Sequence, residues 1–208
     1  MQKFKVHLLL LRGNNMEIFK YKDYEDYVKS QIEGNLKKID KIKEKNIAYV
    51  KPETITQIVK RMPDANRVLC HGTRNAKEQL YFQKHLSDAF IIGSEISPNA
   101  TEFPMTIEHD FNMVKEEWIN SFDIVYSNSF DHSITPFETL EVWRDQLNDS
   151  GRLFLEHTVQ KKNHVSNKID PLKIEKQELI DMIDKADMNI VEEFRGREKG
   201  YVLVCEKK

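Results

Sequence analysis

The chain has 208 residues and a mass of 24.6 kDa, which is the size of one domain with a helical addition. Hydrophobic residues make up 39% and charged residues 32%, with only seven glycines and six prolines, so fibrous and low-complexity proteins are excluded. The net charge of −2 excludes a uniformly basic nucleic-acid-binding protein, although residues 1–66 carry +5 and residues 67–208 carry −7.

The first part of the chain is predicted to be helical. Apolar residues recur at three- and four-residue steps over 23–45, and a second helix is predicted at Glu53–Met62, ended by Pro63. We expect the residues before Met16 to be an extension outside the domain core. The apolar runs fall far short of the ~20 residues that a membrane-spanning helix needs, so we expect no membrane association.

After Pro63, short apolar runs alternate with helical patterns. The predicted strands are Arg67–His71, Ala89–Glu95, Met105–His109, Phe122–Ser127, Arg152–His157, Ile190–Arg195 and Tyr201–Glu206. The predicted helices are Asn75–Leu86, Thr135–Leu147 and Glu175–Ala186. Strands that are apolar nearly throughout are typical of a parallel sheet covered by helices on both faces.

Few residues separate the last two predicted strands, too few for a parallel crossover, so they should form an antiparallel hairpin. The pattern therefore predicts an α/β fold that is Rossmann-like and doubly wound. Its mostly parallel seven-stranded sheet ends in a C-terminal hairpin, and helices precede the sheet.

The two cysteines, Cys70 and Cys205, both lie in predicted strands. Their spacing does not match a metal site, and two thiols make no disulfide framework. We therefore expect buried, reduced thiols, a cytoplasmic protein and no metal.

In an open α/β sheet, ligands bind beyond the carboxyl ends of the strands, where the strand order reverses. The loop after the first strand of this sheet contains Gly72, which can take a tight turn. Glu95 follows the second strand, 23 residues after Gly72, close to the ~20-residue offset at which an acidic side chain meets a ribose diol. The alternative is a surface glutamate at a strand end.

The loops after the third and fourth strands carry further polar groups. Asp110 and Phe111 can take an adenine amino group and pack against its ring, whereas a loop aspartate that caps the next turn is the competing interpretation. The segment Tyr126–Ser133 is rich in hydrogen-bonding and aromatic side chains, and such loops on a rigid scaffold are usually functional.

Residues 66–160 resemble class I S-adenosylmethionine-dependent methyltransferases. The resemblance is carried by Val68–Gly72, Glu95, Asp110, Phe122–Ser129 and Leu147–Leu155. Gly72, Arg74 and Glu78 form a G-x-R-x-x-x-E pattern that, with the Ser-Asn-Ser-x-Asp-His loop, resembles a variant branch of the family.

The resemblance implies methyl transfer from S-adenosyl-L-methionine to a small-molecule acceptor, with S-adenosyl-L-homocysteine as product. The implied cofactor-binding residues are His71, Gly72, Thr73, Arg74, Glu78, Glu95, Ile96, Asp110, Phe111, Ser127, Asn128 and Ser129. Asp131, His132 and His157 are candidates for proton handling or acceptor orientation, since histidine transfers protons near neutral pH. A structural hydrogen bond is the alternative for each histidine.

Residues 1–63 are interpreted as a helical extension or lid, and residues 64–208 as the cofactor-binding domain. The tyrosines Tyr21, Tyr24 and Tyr27 either pack the first helix on the domain or on a second subunit of a homodimer, or close the acceptor pocket. The loop after the first strand of the sheet contains only one glycine, Gly72. This leaves open the alternative that the chain is a non-catalytic nucleoside-binding or scaffold protein. A NAD-dependent oxidoreductase is a third alternative, disfavoured because a pyrophosphate needs close backbone approach. We expect no nucleic-acid partner.

Overall fold

The computed structural model describes residues 16–158, 165–197 and 199–208. Its centre is a seven-stranded sheet with the order β4-β3-β2-β5-β6-β9-β8. The strands are β2 (Arg67–His71), β3 (Phe90–Glu95), β4 (Thr106–Glu108), β5 (Phe122–Ser127), β6 (Leu147–Thr158), β8 (Met188–Arg195) and β9 (Gly200–Lys207). The first five of these pair in parallel, and β9 pairs antiparallel with both β6 and β8. The predicted sheet and its C-terminal hairpin are confirmed.

Five α-helices surround the sheet, each within two residues of the predicted bounds. They are α1 (Tyr24–Lys45), α2 (Pro52–Arg61), α3 (Lys77–His85), α4 (Pro136–Gln146) and α5 (Lys176–Lys185). Helix α1 begins where the Asp23 side chain accepts a hydrogen bond from the Asp26 amide, and it ends at Asn46 in the left-handed conformation. None of the helices in the described ranges is long and apolar enough to cross a bilayer.

Two features escaped the sequence prediction because they are too short to show a period. A two-stranded ribbon joins β1 (Glu17–Ile18) to β7 (Leu172–Lys173), and three 3-10 turns follow strand ends, one of them at Phe130–His132. The extension predicted before Met16 lies outside the described residues.

The core forms two apolar layers, one on each face of the sheet. One contains Trp143 and Leu179 from α4 and α5, and the other contains Ile58 and Phe82 from α2 and α3. Burying one such side chain contributes roughly 1.5–3 kcal/mol. Both cysteines are free and buried, as predicted for Cys70 and Cys205, and burial raises the pKa of the Cys205 thiol to about 12.

The strand order reverses between β2 and β5, which are neighbours in the sheet although α3, β3 and β4 separate them in the chain. The chain leaves β2 toward β3 and β4 on one side, and it returns at β5 to build the other side. The carboxyl ends of β2 and β5 therefore flank a crevice of the kind that binds ligands in doubly wound folds.

Candidate functional site

The loop after β2 requires a glycine. Gly72 has a φ of +68°, and a Cβ atom there would lie 2.6 Å from the Ser129 Cβ. The Ser129 hydroxyl donates a hydrogen bond of 3.1 Å to the Gly72 carbonyl. The loops after β2 and β5 are thus in direct contact at the floor of the crevice.

Glu95, at the end of β3, is only 4% exposed, and both of its carboxylate oxygens accept hydrogen bonds. Its Oε2 accepts from the Arg74 amide at 3.0 Å. Its Oε1 accepts from the Ser97 amide at 3.1 Å and from the Asn35 side-chain amide at 2.6 Å. The carboxylate therefore joins the loop after β2 to helix α1.

Asp110, after β4, is held in the same manner. Its Oδ1 accepts from the backbone and side-chain amides of Asn112, and its Oδ2 accepts from the Tyr24 hydroxyl at 2.6 Å. Burial raises the pKa of Tyr24 well above its usual value, and the charge of Asp110 adds to the shift, so the hydroxyl remains a donor. Phe111 is buried edge-on against Trp143.

Helix α1 presents a polar face to the crevice. Tyr24, Tyr27, Gln31 and Asn35 follow one another at steps of three and four residues, which places them on one side of a helix. Tyr27 donates to the His132 carbonyl at 3.2 Å, and the Gln31 Oε1 lies 2.9 Å from the His132 Nδ1. Sequence reasoning singled out the tyrosines and missed the two amides, although the spacing continues through them.

Two cavities lie in the crevice and meet at Gly72, Arg74, Ser129 and His132. The first has a volume of about 40 Å³, and among the predicted cofactor residues Glu95, Ile96, Asp110 and Phe111 also line it. The second has a volume of about 200 Å³ and is also lined by the predicted residues Thr73, Glu78, Asn128 and Asp131. The structure thus brings ten of the twelve predicted cofactor-binding residues to these two cavities.

The side chains of the remaining two, His71 and Ser127, do not line either of these cavities. The His71 ring is 1% exposed, stacks on Trp143, and places its nitrogens 2.8 Å from Ser94 Oγ and from Gln146 Oε1. Burial lowers the pKa of His71 to about 3, so the ring is neutral. Ser127 Oγ donates to the His71 carbonyl. Both side chains support the loops from beneath.

Glu78, in the first turn of α3, is a buried carboxyl with spare hydrogen-bonding capacity. It is 4% exposed, and its Oε1 accepts a long bond of 3.4 Å from Asn128. Its Oε2 has no hydrogen-bond partner among the described residues. Burial raises the pKa of Glu78 to about 7, and Arg74 opposes part of this shift. A buried carboxyl of this kind suits a cationic ligand group.

Of the predicted proton-handling residues, Asp131 lines the second cavity and His132 lies where the two cavities meet. The His132 Nε2 is 4.0 Å from an oxygen of Asp131 and 4.0 Å from an oxygen of Asp170. Asp170 was missed because nothing near it in sequence marks it. His157 is 4% exposed, and burial lowers its pKa, while Asp131 opposes the shift.

No protein-family model matches the chain, and no curated protein matches it in sequence. Solved structures do match. One is the Burkholderia thailandensis 1,6-didemethyltoxoflavin-N1-methyltransferase with bound 1,6-didemethyltoxoflavin and S-adenosylhomocysteine, with a TM-score of 0.72, 12% identity and coverage of 91% of this chain and 92% of that one. The chain has the fold of class I S-adenosylmethionine-dependent methyltransferases.

Two other matches show how widely this fold is used. The glycopeptide N-methyltransferase MtfA complexed with sinefungin matches with a TM-score of 0.60, 10% identity and coverage of 77% of this chain and 88% of that one. The [4+2]-cyclase SpnF matches with a TM-score of 0.63, 11% identity and coverage of 75% of this chain and 80% of that one. The fold alone therefore does not determine the reaction, which depends on the residues of the site.

Proposed function

We propose that the chain is a methyltransferase that uses S-adenosyl-L-methionine and acts on a small-molecule acceptor. The observation that carries this proposal is the pair of cavities that meet at Gly72 and Ser129. Acidic side chains suited to an adenosine line one cavity, and charged groups suited to an amino acid line the other.

The residues that line the first cavity are chemically suited to the adenosine half of the cofactor. Glu95 offers two carboxylate oxygens, and a ribose diol offers two adjacent donors. Hydrogen bonds to a charged group contribute about 1.5–3 kcal/mol each. Asp110 offers an acceptor for the adenine amino group, and Ile96 and Phe111 offer apolar surface beside it.

The methionine half fits the second cavity. Arg74 is a fork-shaped donor suited to a carboxylate, and the free oxygen of Glu78 is suited to an ammonium group. Thr73 and Asn128 line the same wall. An ammonium group beside Glu78 would favour its ionised form, so we expect cofactor binding to release a proton when the solution pH is below about 7.

The bound cofactor supplies an activated methyl group on a sulfonium. The residues of the chain then have to orient the acceptor and hold its proton. Asp131 and His132 line the second cavity and are assigned this role, and the buried His157 interacts electrostatically with Asp131. We further propose that residues 1–63 cover the site through α1, and that residues 64–208 form the cofactor-binding domain.

The test is calorimetric titration of the full chain with S-adenosylmethionine, S-adenosylhomocysteine and NAD. We expect both adenosyl sulfur ligands to bind and NAD not to bind. Glu95→Gln should weaken S-adenosylhomocysteine binding by at least tenfold, the equivalent of 1.4 kcal/mol. The matched control is Glu108→Gln, an exposed glutamate at the end of the neighbouring strand β4.

Three outcomes would contradict parts of the proposal. Absence of binding by either adenosyl ligand at millimolar concentration would overturn it, and binding of NAD alone would favour an oxidoreductase. Cofactor binding without S-adenosylhomocysteine production across a broad set of amine and hydroxyl acceptors would favour a non-catalytic protein or a cyclase-like reaction.

A further inference from the structure

Three potential metal ligands meet in the wall of the second cavity. One ligand atom each from Asp131, His132 and Asp170 lies within 4.8 Å of the others. Within the described ranges, the only ion-pair partner of either carboxylate is the His132 ring itself, at 4.0 Å. Two carboxylates and an imidazole therefore lie close together, without a lysine or arginine ion-pair partner in the part of the chain that the structure describes.

The protonation pattern of His132 is set by Gln31. The Gln31 Nε2 donates to the carbonyl oxygens of Lys168 and Ile169, at 3.1 and 3.3 Å, and a flipped amide would place oxygen against oxygen there. The Gln31 Oε1 therefore points at His132 Nδ1, at 2.9 Å, and accepts a hydrogen bond from the Nδ1–H. In the neutral ring, Nε2 is then the nitrogen with the lone pair, and it faces both carboxylates.

A second imidazole, that of His157, also interacts with Asp131. His157 is 4% exposed, and its ring donates to the Ile174 carbonyl. Its Nε2 has no hydrogen-bond partner among the residues that the structure describes, and the ring interacts electrostatically with Asp131. Histidines that bind metals usually donate their other ring N–H to a protein acceptor, as both of these rings do.

We propose that Asp131, His132 and Asp170 form a binding site for a divalent transition-metal ion. Mixed carboxylate and imidazole donors suit Zn²⁺ or Mn²⁺. A tetrahedral Zn²⁺ at about 2.1 Å from its ligands needs ligand atoms about 3.4 Å apart, so small side-chain rotations complete the site. An ion bound there would hold an acceptor oxygen or nitrogen, so Asp131 and His132 would orient the acceptor instead of taking its proton. This use rests on the proposed function, whereas the binding of the ion does not.

The test uses the full chain after EDTA treatment and dialysis. Titration with Zn²⁺ is followed by calorimetry, and titration with Mn²⁺ is followed by the electron paramagnetic resonance signal of free Mn²⁺. We expect one ion per chain. His132→Gln and Asp170→Asn should each weaken binding at least tenfold. The matched controls, His85→Gln and Asp40→Asn, replace exposed residues outside the cavity and should bind as the unmodified chain does.

The absence of saturable binding of both ions would overturn the site, as would unchanged affinity in His132→Gln and Asp170→Asn. Thermal melts check that each variant folds. If His132→Gln or Asp170→Asn does not fold, Asp131→Asn is used in its place. Titration with S-adenosylhomocysteine in EDTA tests the proposed function separately. Cofactor binding without metal binding would contradict this site alone, and metal binding without cofactor binding would contradict the proposed function alone.

Discussion

The Asn35 amide occupies the position on Glu95 that a ribose hydroxyl is expected to use. Asn35 donates to Glu95 Oε1 at 2.6 Å and to Ser97 Oγ at 3.0 Å. The adjoining cavity of about 40 Å³ has room for only a few water molecules, since one water needs at least roughly 10–15 Å³. An adenosyl group therefore enters only if α1 shifts and this bond breaks.

Asn35→Ala should consequently tighten S-adenosylhomocysteine binding. A hydrogen bond to a charged group contributes about 1.5–3 kcal/mol, and the variant no longer has to break it when the ligand binds. We expect the dissociation constant to fall about tenfold, the equivalent of 1.4 kcal/mol. The gain is at the lower end of the range because, in the unmodified protein, the released Asn35 amide forms a hydrogen bond with water instead. The melting temperature of the free variant should fall by about 2–4 °C for each kcal/mol lost.

Calorimetry at 25 °C measures the affinity, and Asp40→Ala on the exposed side of α1 is the control for helix effects. Weaker binding by Asn35→Ala, with the control unchanged, would refute the reasoning, because it would mean that Asn35 holds the ligand instead of competing with it. Tyr24→Phe removes the equivalent bond to Asp110 and should act in the same direction.

Three further predictions concern Glu78, Tyr126 and Gly72. The pKa of Glu78 is raised to about 7, so the folded state binds the extra proton and stability should fall as the pH rises from about 4.5 to 7; Glu78→Gln should flatten this slope in pH-dependent thermal melts. Tyr126→Phe should cost about 1–3 kcal/mol in urea unfolding, because its hydroxyl donates to buried Glu156 at 2.5 Å. Tyr201→Phe is the control, since its hydroxyl has no partner within the described ranges, and an equal loss would contradict this account. Gly72→Ala should destabilise the chain by about 1–3 kcal/mol and abolish S-adenosylhomocysteine binding, and retention of both would show that the loop is not rigid.

Local pattern predicted the sheet well because its strands are buried on both faces. The run of β5 is apolar nearly throughout, and helices α4 and α5 show clear amphipathic spacing, so their bounds came within two residues. Strand β6 begins five residues before its predicted start, because its first part, Leu147–Arg152, is mostly polar. The ribbon of β1 and β7 has two residues per strand, which is too short for any period to appear.

The residues of the candidate site also differ in how far the sequence predicts them. Position after a strand located Glu95 and Asp110, because the fold places every strand end on one edge. The same rule did not predict that the His71 side chain is buried against Gln146, because position alone does not say whether the side chain at a strand end faces the crevice or the core. Gln31, Asn35 and Asp170 act across long sequence separations that no local pattern records.

One turn of α1 separates Gln31, which fixes the orientation of the His132 ring, from Asn35, which holds Glu95. A shift of this helix that frees Glu95 for a nucleoside would also alter the His132 imidazole, where the two cavities meet. Binding in the two cavities would then be thermodynamically linked. Whatever factor the nucleoside imposes on binding at Asp131 and His132, a ligand bound there must impose the same factor on the nucleoside.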